Sequence, residues 1–185
     1  MSNLVAYFSH PDPFNPEGDG ESEPPSGYVQ RDGSVIGTVQ VMAGVIEQVT
    51  HASSYRIQSK KIYPSNFRIL EEITKGEKAR GDRPDLREPI PDLSSVENVF
   101  LGYPMWWMDA PMAVYSFLEK ADLSGKDLYI FAAQADYGLA DTLKTITEAA
   151  KGAQVNQTPL AASCFSTVEQ LQQEVVSWLY RVNSR

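Results

Sequence analysis

Cysteine is nearly missing from this chain: Cys164 is the only one. One thiol closes no intramolecular disulfide and builds no thiolate metal cluster. Cationic side chains are also in short supply. The 16 Lys and Arg are outnumbered by 24 Asp and Glu, a formal net charge of −8. That balance excludes the basic footprint that nucleic-acid binding needs, and it disfavours anionic membrane surfaces. A negative surface suits a positively charged partner protein, and equally serves solubility alone. Long apolar runs are lacking too, since none approaches the roughly 20 residues of a membrane span. The opening MSNLVAYFSHPD lacks the basic n-region and apolar length of a signal peptide. The expectation is a cytoplasmic protein without membrane or nucleic-acid partners.

What is present is enough for a core. The 185 residues fit one domain, 1–185. The most informative stretch is Val99 to Met112, VFLGYPMWWMDAPM. A short apolar run reaches Gly102, which suits a buried strand. Tyr103, Pro104, Met105, adjacent Trp106 and Trp107, Met108, Asp109 and Pro111 follow. Neighbouring side chains diverge, so one core pocket does not easily hold both indoles. Trp offers a large rigid face with a polar N–H. The pair reads as a binding face or, less favoured, as core aromatics.

Elsewhere strands and helices alternate. Leu4 to Phe8 reads as a first, central strand. His10 to Ser26, rich in proline and acid, reads as an insertion. Tyr28-Val29-Gln30 and Ser34-Val35-Ile36 flank Arg31-Asp32-Gly33, a hairpin signal. Val39, Met42, Val45, Ile46 and Val49 recur at helical spacing. Tyr55 and Ile57 predict an outer strand, and Ser65 a cap for a helix carrying Phe67, Leu70 and Ile73. Gly76 to Asp92 reads as a long connection. Asp109 is the expected cap of the next helix, with Pro111 in its first turn and Tyr115 and Leu118 inward. Leu128 to Ala133 predicts a strand, Leu139, Leu143, Ile146 and Ala150 a helix, and Val155 to Ala162 a weaker strand. Ser166-x-x-Glu169 and Thr167-x-x-Gln170 are capping-box signals ahead of a stripe of Val168, Leu171, Val175, Leu179 and Val182. The alternation specifies an α/β domain with a parallel sheet and helices on both faces.

The chain also resembles the flavodoxin-like FMN-binding family, which includes small bacterial flavodoxins and related flavoproteins. The resemblance rests on NLVAYFS (3–9), DGSVIGTVQVMAGVI (32–46), VFLGYPMWWMDAPMAVYSFLE (99–119) and LSGKDLYIF (123–131), with Tyr63-Pro64 and Arg83-Pro84 as further landmarks. It implies a three-layer sandwich around a five-stranded parallel sheet of order 2-1-3-4-5, with the 10–36 region as an insertion plus hairpin. It also implies FMN at the carboxyl ends of the strands, beside the first strand.

Three loops would hold that FMN. In the first, Ser9 and His10 precede the insertion, and Gly37-Thr38-Val39 opens a helix where family members have Gly-Asn-Thr. Small residues, hydroxyls and free N–H groups at a helix start suit a phosphate. Val39 removes one hydroxyl donor, a loss of about 1.5–3 kcal/mol. In the second, the resemblance places the flavin ring against Pro104, Met105, Trp106, Trp107 and Met108, where water exclusion and acidity favour a low potential. The third loop, Ala133, Gln134, Ala135, Asp136, Tyr137 and Gly138, departs from the family's Gly- and Ser-rich turn. Ala135 is unfavourable if that position needs positive φ. Asp136 adds a negative charge near the cofactor. Tyr137 either stacks on the ring or fills its place.

His10 and His51 are acid–base groups only by type. His51 reads as a solvated helix end and Cys164 as a buried structural thiol. No catalytic side chain or metal ligand is assigned, because electron transfer through a flavin requires neither. The expected function is an FMN-dependent redox protein, either a one-electron carrier or an NAD(P)H- or quinone-linked reductase, serving a partner protein or a small-molecule electron donor or acceptor; oligomeric state is left open, a homodimer being compatible with the prevalence of symmetric pairs. Val39, Ala135 and Asp136 motivate a rival, a binding or scaffold module that has lost FMN.

Overall fold

The computed structural model describes residues 2–10, 27–29, 35–64, 66–135 and 138–183. Five helices flank a parallel sheet. Its strands are β1 (Asn3–Tyr7), β4 (Ser53–Arg56), β5 (Asn98–Pro104), β6 (Asp127–Gln134), β7 (Gln154–Val155) and β8 (Leu160–Ser163). The spatial order is β4-β1-β5-β6, with β7 and β8 both pairing the far side of β6 in parallel. Taking β7 and β8 together as the fifth strand, this is the 2-1-3-4-5 order. The expected single strand from Val155 to Ala162 is thus two short pieces. Asn156 N–H still donates to Leu128 O (2.8 Å) before the chain leaves the sheet. Pro159, which has no N–H to give a ladder, stands just before β8.

Side chains alternate across the sheet with period two. Val5 and Tyr7 of β1, Phe100 of β5 and Phe131 of β6 face α1 (Thr38–Thr50) and α5 (Val168–Asn183). Leu4, Ala6, Val99, Leu101, Leu128 and Ile130 pack in the opposite core with α2 (Phe67–Arg80), α3 (Met112–Lys120) and α4 (Thr142–Ala149). Both faces are therefore covered, and the layers are helix, sheet, helix. Trp178 is fully buried between α5 and the sheet, its indole N–H donating to Thr158 O (2.7 Å).

Several local expectations are corrected. β5 does not stop at Gly102 but runs to Pro104. A Cβ at Gly102 would lie 2.2 Å from Phe131 Cζ, so the missing side chain makes room for that ring within the sheet. α2 passes through Gly76 to Arg80 and ends at Gly81, whose φ of 63° suits a left-handed cap. Its N-cap is Asn66, whose side chain accepts from Ile69 N–H (3.2 Å); Ser65 lies outside the described residues. Phe67 is half exposed rather than inward. Pro111, not Asp109, caps α3. Cys164 is half-buried.

Other local readings match the structure. His51 is the exposed left-handed C-cap of α1 (φ 53°). Thr167 and Gln170 form the reciprocal capping box, Thr167 N–H to Gln170 Oε1 at 2.7 Å and Gln170 N–H to Thr167 Oγ1 at 3.2 Å. In the insertion, β2 (Gly27–Val29) and β3 (Val35–Gly37) pair antiparallel. Asp32 and Gly33, read as the turn between them, lie outside the described residues. Among the described residues no helix is long and apolar enough to cross a membrane.

Candidate functional site

All strands of the sheet run parallel, so their carboxyl ends share one rim. Three connections meet there: β1 into Ser9 and His10, β5 into 105–111, and β6 into Ala135. Gly37 joins them from the start of α1.

The tryptophan connection is a tight turn. Trp106 N–H donates to Asp109 O (2.8 Å), and Asp109 N–H donates back to Trp106 O (3.1 Å). Trp107 and Met108 between them have φ of 58° and 61°. Two successive left-handed residues are the signature of a type I′ turn, usually built from Asn and Gly. With β-carbons present, each costs about 1–2 kcal/mol.

The two indoles do diverge. Trp106 turns toward β1 and stands edge-on to Phe8 (5.1 Å between centroids), Tyr63 (5.6 Å) and His10 (5.8 Å). Trp107 turns toward α2. Its indole N–H donates to Thr74 Oγ1 (3.0 Å), and Lys75 Nζ sits 5.4 Å from its ring centre. Lys78 donates to Trp107 O and faces Asp109 Oδ2 at 3.6 Å. Asp109, read in sequence as a helix cap, instead ties down the end of the turn. Its Oδ1 accepts from Ala110 N–H (2.8 Å) and from the Tyr115 hydroxyl (2.6 Å).

A cleft of about 540 Å³ opens between this turn and α2. Met105, Trp106, Trp107 and Met108 form one wall, with Gln134 and Ala135 at the end of β6. Phe67, Leu70, Glu71 and Thr74 of α2 complete it. These α2 residues were not picked out from sequence. Phe67 gives no sign in sequence of lining a cleft, and its 50% exposure alone does not mark it, since Ile69 on the same helix is equally exposed at 51%. The volume and aromatic lining fall in the range of pockets that hold small molecules and cofactors.

The first loop adjoins the start of α1, where backbone N–H groups of the first turn suit an anion. Gly37 N-caps α1, and no carboxylate occupies the helix's first turn. A Cβ at Gly37 would lie 2.6 Å from Ser9 Oγ and 2.4 Å from His10 O, so only glycine allows this approach. Ser9 is buried (5% exposed), and its hydroxyl finds no hydrogen-bond partner among the described residues. A buried orphan hydroxyl costs about 1–3 kcal/mol, so an oxygen-rich ligand there would relieve it. Thr38 is also buried, and the Val39 side chain packs into the core with Val5 and Met42. Val39 therefore leaves only its backbone N–H at the helix start.

At the described ends of the third loop, the backbone suits the residues present. Ala135 is not among the residues with positive φ; Gly138 takes that conformation at 61°. Gly138 N–H donates to Gln134 Oε1 (3.0 Å). Ala133 is buried in β6, and Pro104 is half-buried at the end of β5. Asp136 and Tyr137 lie outside the described residues. Of the sequence-predicted residues, six line the cleft directly, Met105, Trp106, Trp107, Met108, Gln134 and Ala135. Ser9, His10, Gly37, Thr38 and Val39 cluster at the neighbouring helix start.

Fold and cleft together define a doubly wound α/β protein with a cleft at the carboxyl rim of the sheet, where ligands of such folds bind. The family model described as Flavodoxin matches residues 32–179, and the chain belongs to that family. Solved structures share the fold. A candidate flavoprotein of Bacteroides uniformis is 19% identical, with 95% of this chain and 97% of that one covered at a TM-score of 0.67. A flavoprotein of Lactobacillus acidophilus, solved in complex with FMN, is 14% identical over 92% of this chain and 97% of that one, with a TM-score of 0.61. No curated protein matches the chain.

Proposed function

We propose that this chain binds FMN at the cleft and the adjoining start of α1, and works as an electron-transfer flavoprotein. The observation that carries the reading is the pairing of two unlike features on one rim. An aromatic cleft of about 540 Å³ lies beside a helix N-terminus whose neighbouring Ser9 hydroxyl is buried without a partner. Bound FMN would supply electron storage and release. Trp106, Trp107 and Met105 would take the flat ring and keep water from it. Ser9, Gly37 and the first N–H groups of α1 would take the phosphate. Gln134 and the backbone at Ala135 would meet the ring's polar edge.

The flavin-bound Lactobacillus relative, of the same fold, supports the reading. The electron donor and acceptor are proposed to be a redox partner protein or a small molecule. The excess of acid favours a partner that presents positive charge.

Titrating FMN into the purified protein tests this. Saturable quenching of tryptophan fluorescence is expected, weaker in Trp106→Ala and Trp107→Ala. An unquenched signal with FMN at high micromolar concentration would return the protein to the cofactor-free binding module.

A further inference from the structure

We infer that Lys78 is a positioning residue for the flavin site: it holds the Trp107–Met108 turn in the left-handed conformation that shapes the cleft wall. The inference deepens the FMN reading and rests on it.

The turn does not hold itself. Its two central residues both adopt positive φ without being glycine, a conformation in which the Cβ crowds the following carbonyl oxygen. Its two reciprocal backbone bonds replace bonds to water and so return only a modest net gain. At the ends of the turn, Tyr115 holds Asp109 and the Trp106 ring packs against Phe8 and Tyr63; the restraint on Trp107 itself comes from one face of α2. Thr74 accepts from the Trp107 indole, Lys75 lies over its ring, and Lys78 reaches both Trp107 O and Asp109. Positions 74, 75 and 78 are one helical turn, so they share a face. Of the three, Lys78 alone grips the turn's backbone and its closing residue together. A carbonyl held by an ammonium group cannot rotate away without giving up a charge-assisted bond. Because the Trp107 ring is set by that same peptide, the wall of the cleft moves if the peptide does.

The alternative is that Lys78 acts only as a charge near an anionic ligand. The two roles separate with riboflavin, which carries the ring without the phosphate. The test compares the full-length protein with Lys78→Met and Lys78→Arg, reading near-UV circular dichroism without ligand and affinity for FMN and for riboflavin. Positioning predicts that Lys78→Met changes the tryptophan signal of the ligand-free protein. It also predicts that both ligands bind about tenfold more weakly, as expected for one lost hydrogen bond to a charged group. Lys78→Arg should recover most of both effects. Weakened FMN binding with riboflavin untouched would overturn the inference in favour of simple charge. An unchanged tryptophan signal with unchanged affinities would overturn it outright. If the parent protein binds neither flavin, the FMN reading fails, and the circular dichroism of Lys78→Met still decides whether the clamp exists. Thr74→Val, which removes the indole's acceptor together with that hydroxyl's own bonds to Leu70 O and Glu71 O within α2, serves as the second variant should Lys78→Met not fold.

Discussion

Ser9 carries two opposed demands on one hydroxyl. In the ligand-free chain its oxygen is buried without a partner among the described residues, a condition that destabilises the fold. In the proposed complex the same oxygen would help hold a phosphate. Replacing it by alanine should therefore separate stability from binding. Ser9→Ala is expected to raise the ligand-free protein's stability by about 1 kcal/mol while weakening FMN about tenfold. Urea denaturation and fluorescence titration on the same sample read the two. A loss of stability in Ser9→Ala would mean that the hydroxyl is satisfied and structural. Gly37 sits at the centre of the same arrangement, since its absent side chain is what lets the helix start approach Ser9 and His10. Neither effect is visible in composition: Gly-Thr-Val alone reads as an ordinary helix start.

At the level of elements, α2 is the unexpected contributor. It supplies four residues to the cleft and all the side-chain restraint on Trp107 described above. Its first turn depends on Asn66, which accepts from Ile69 N–H, and Phe67 stands directly beside that cap. Asn66→Ala is expected to cost about 1 kcal/mol by thermal or urea unfolding. It should also loosen FMN, because fraying displaces Phe67 and Leu70. Affinity equal to the parent's would show that the first turn of α2 is not part of the site.

Much of the architecture was legible because buried parallel strands announce themselves as apolar runs, and because amphipathic helices repeat their inner face. Leu171, Val175, Leu179 and Val182 are examples, and all four are buried. The boundaries were less so. Gly76 and the charges around it resemble a loop, yet the helix continues through them because Thr74 and Glu77 are buried against its neighbours. Glu77 bonds the Tyr63 hydroxyl (2.9 Å) and Lys61 (3.0 Å), tertiary partners that no local pattern encodes. The Trp106–Trp107 pair was legible as a site because one pocket does not readily hold two adjacent indoles. The way α2 secures them depends on contacts across 29 and 33 residues of sequence.

The molecule as a whole is set up to lose stability in alkali. Tyr63, Tyr103 and Tyr115 are all pushed above the ordinary tyrosine value of 10.0, chiefly by burial, and Tyr103 reaches about 12. The Glu77 carboxylate adds to the effect at Tyr63, and Asp109 at Tyr115. Tyrosine is neutral while protonated, so above pH 10 the unfolded chain releases protons that the folded chain retains. Stability is full below about pH 10 and falls as pH rises from there toward the raised values. Melting temperature followed across that range should decline, with phenolate absorbance appearing together with unfolding. Phenolate formation in a chain that remains folded near pH 10 would contradict this burial.

The sheet's margins have a consequence for self-association. On one side β4 spans four residues, and the chain beyond it is already paired, Lys60 N–H to Asp85 O (2.7 Å) and Arg87 N–H to Gln58 O (2.8 Å). On the other, β7 has two residues and β8 has four, separated by a departure from the sheet. A long flat edge is the template on which foreign strands grow. The break between β7 and β8 removes it on one side, and the 85–87 segment occupies the chain beyond β4 on the other. Neither margin therefore offers a long flat ladder to an incoming strand, a guard against fibrillar addition built from an interrupted strand.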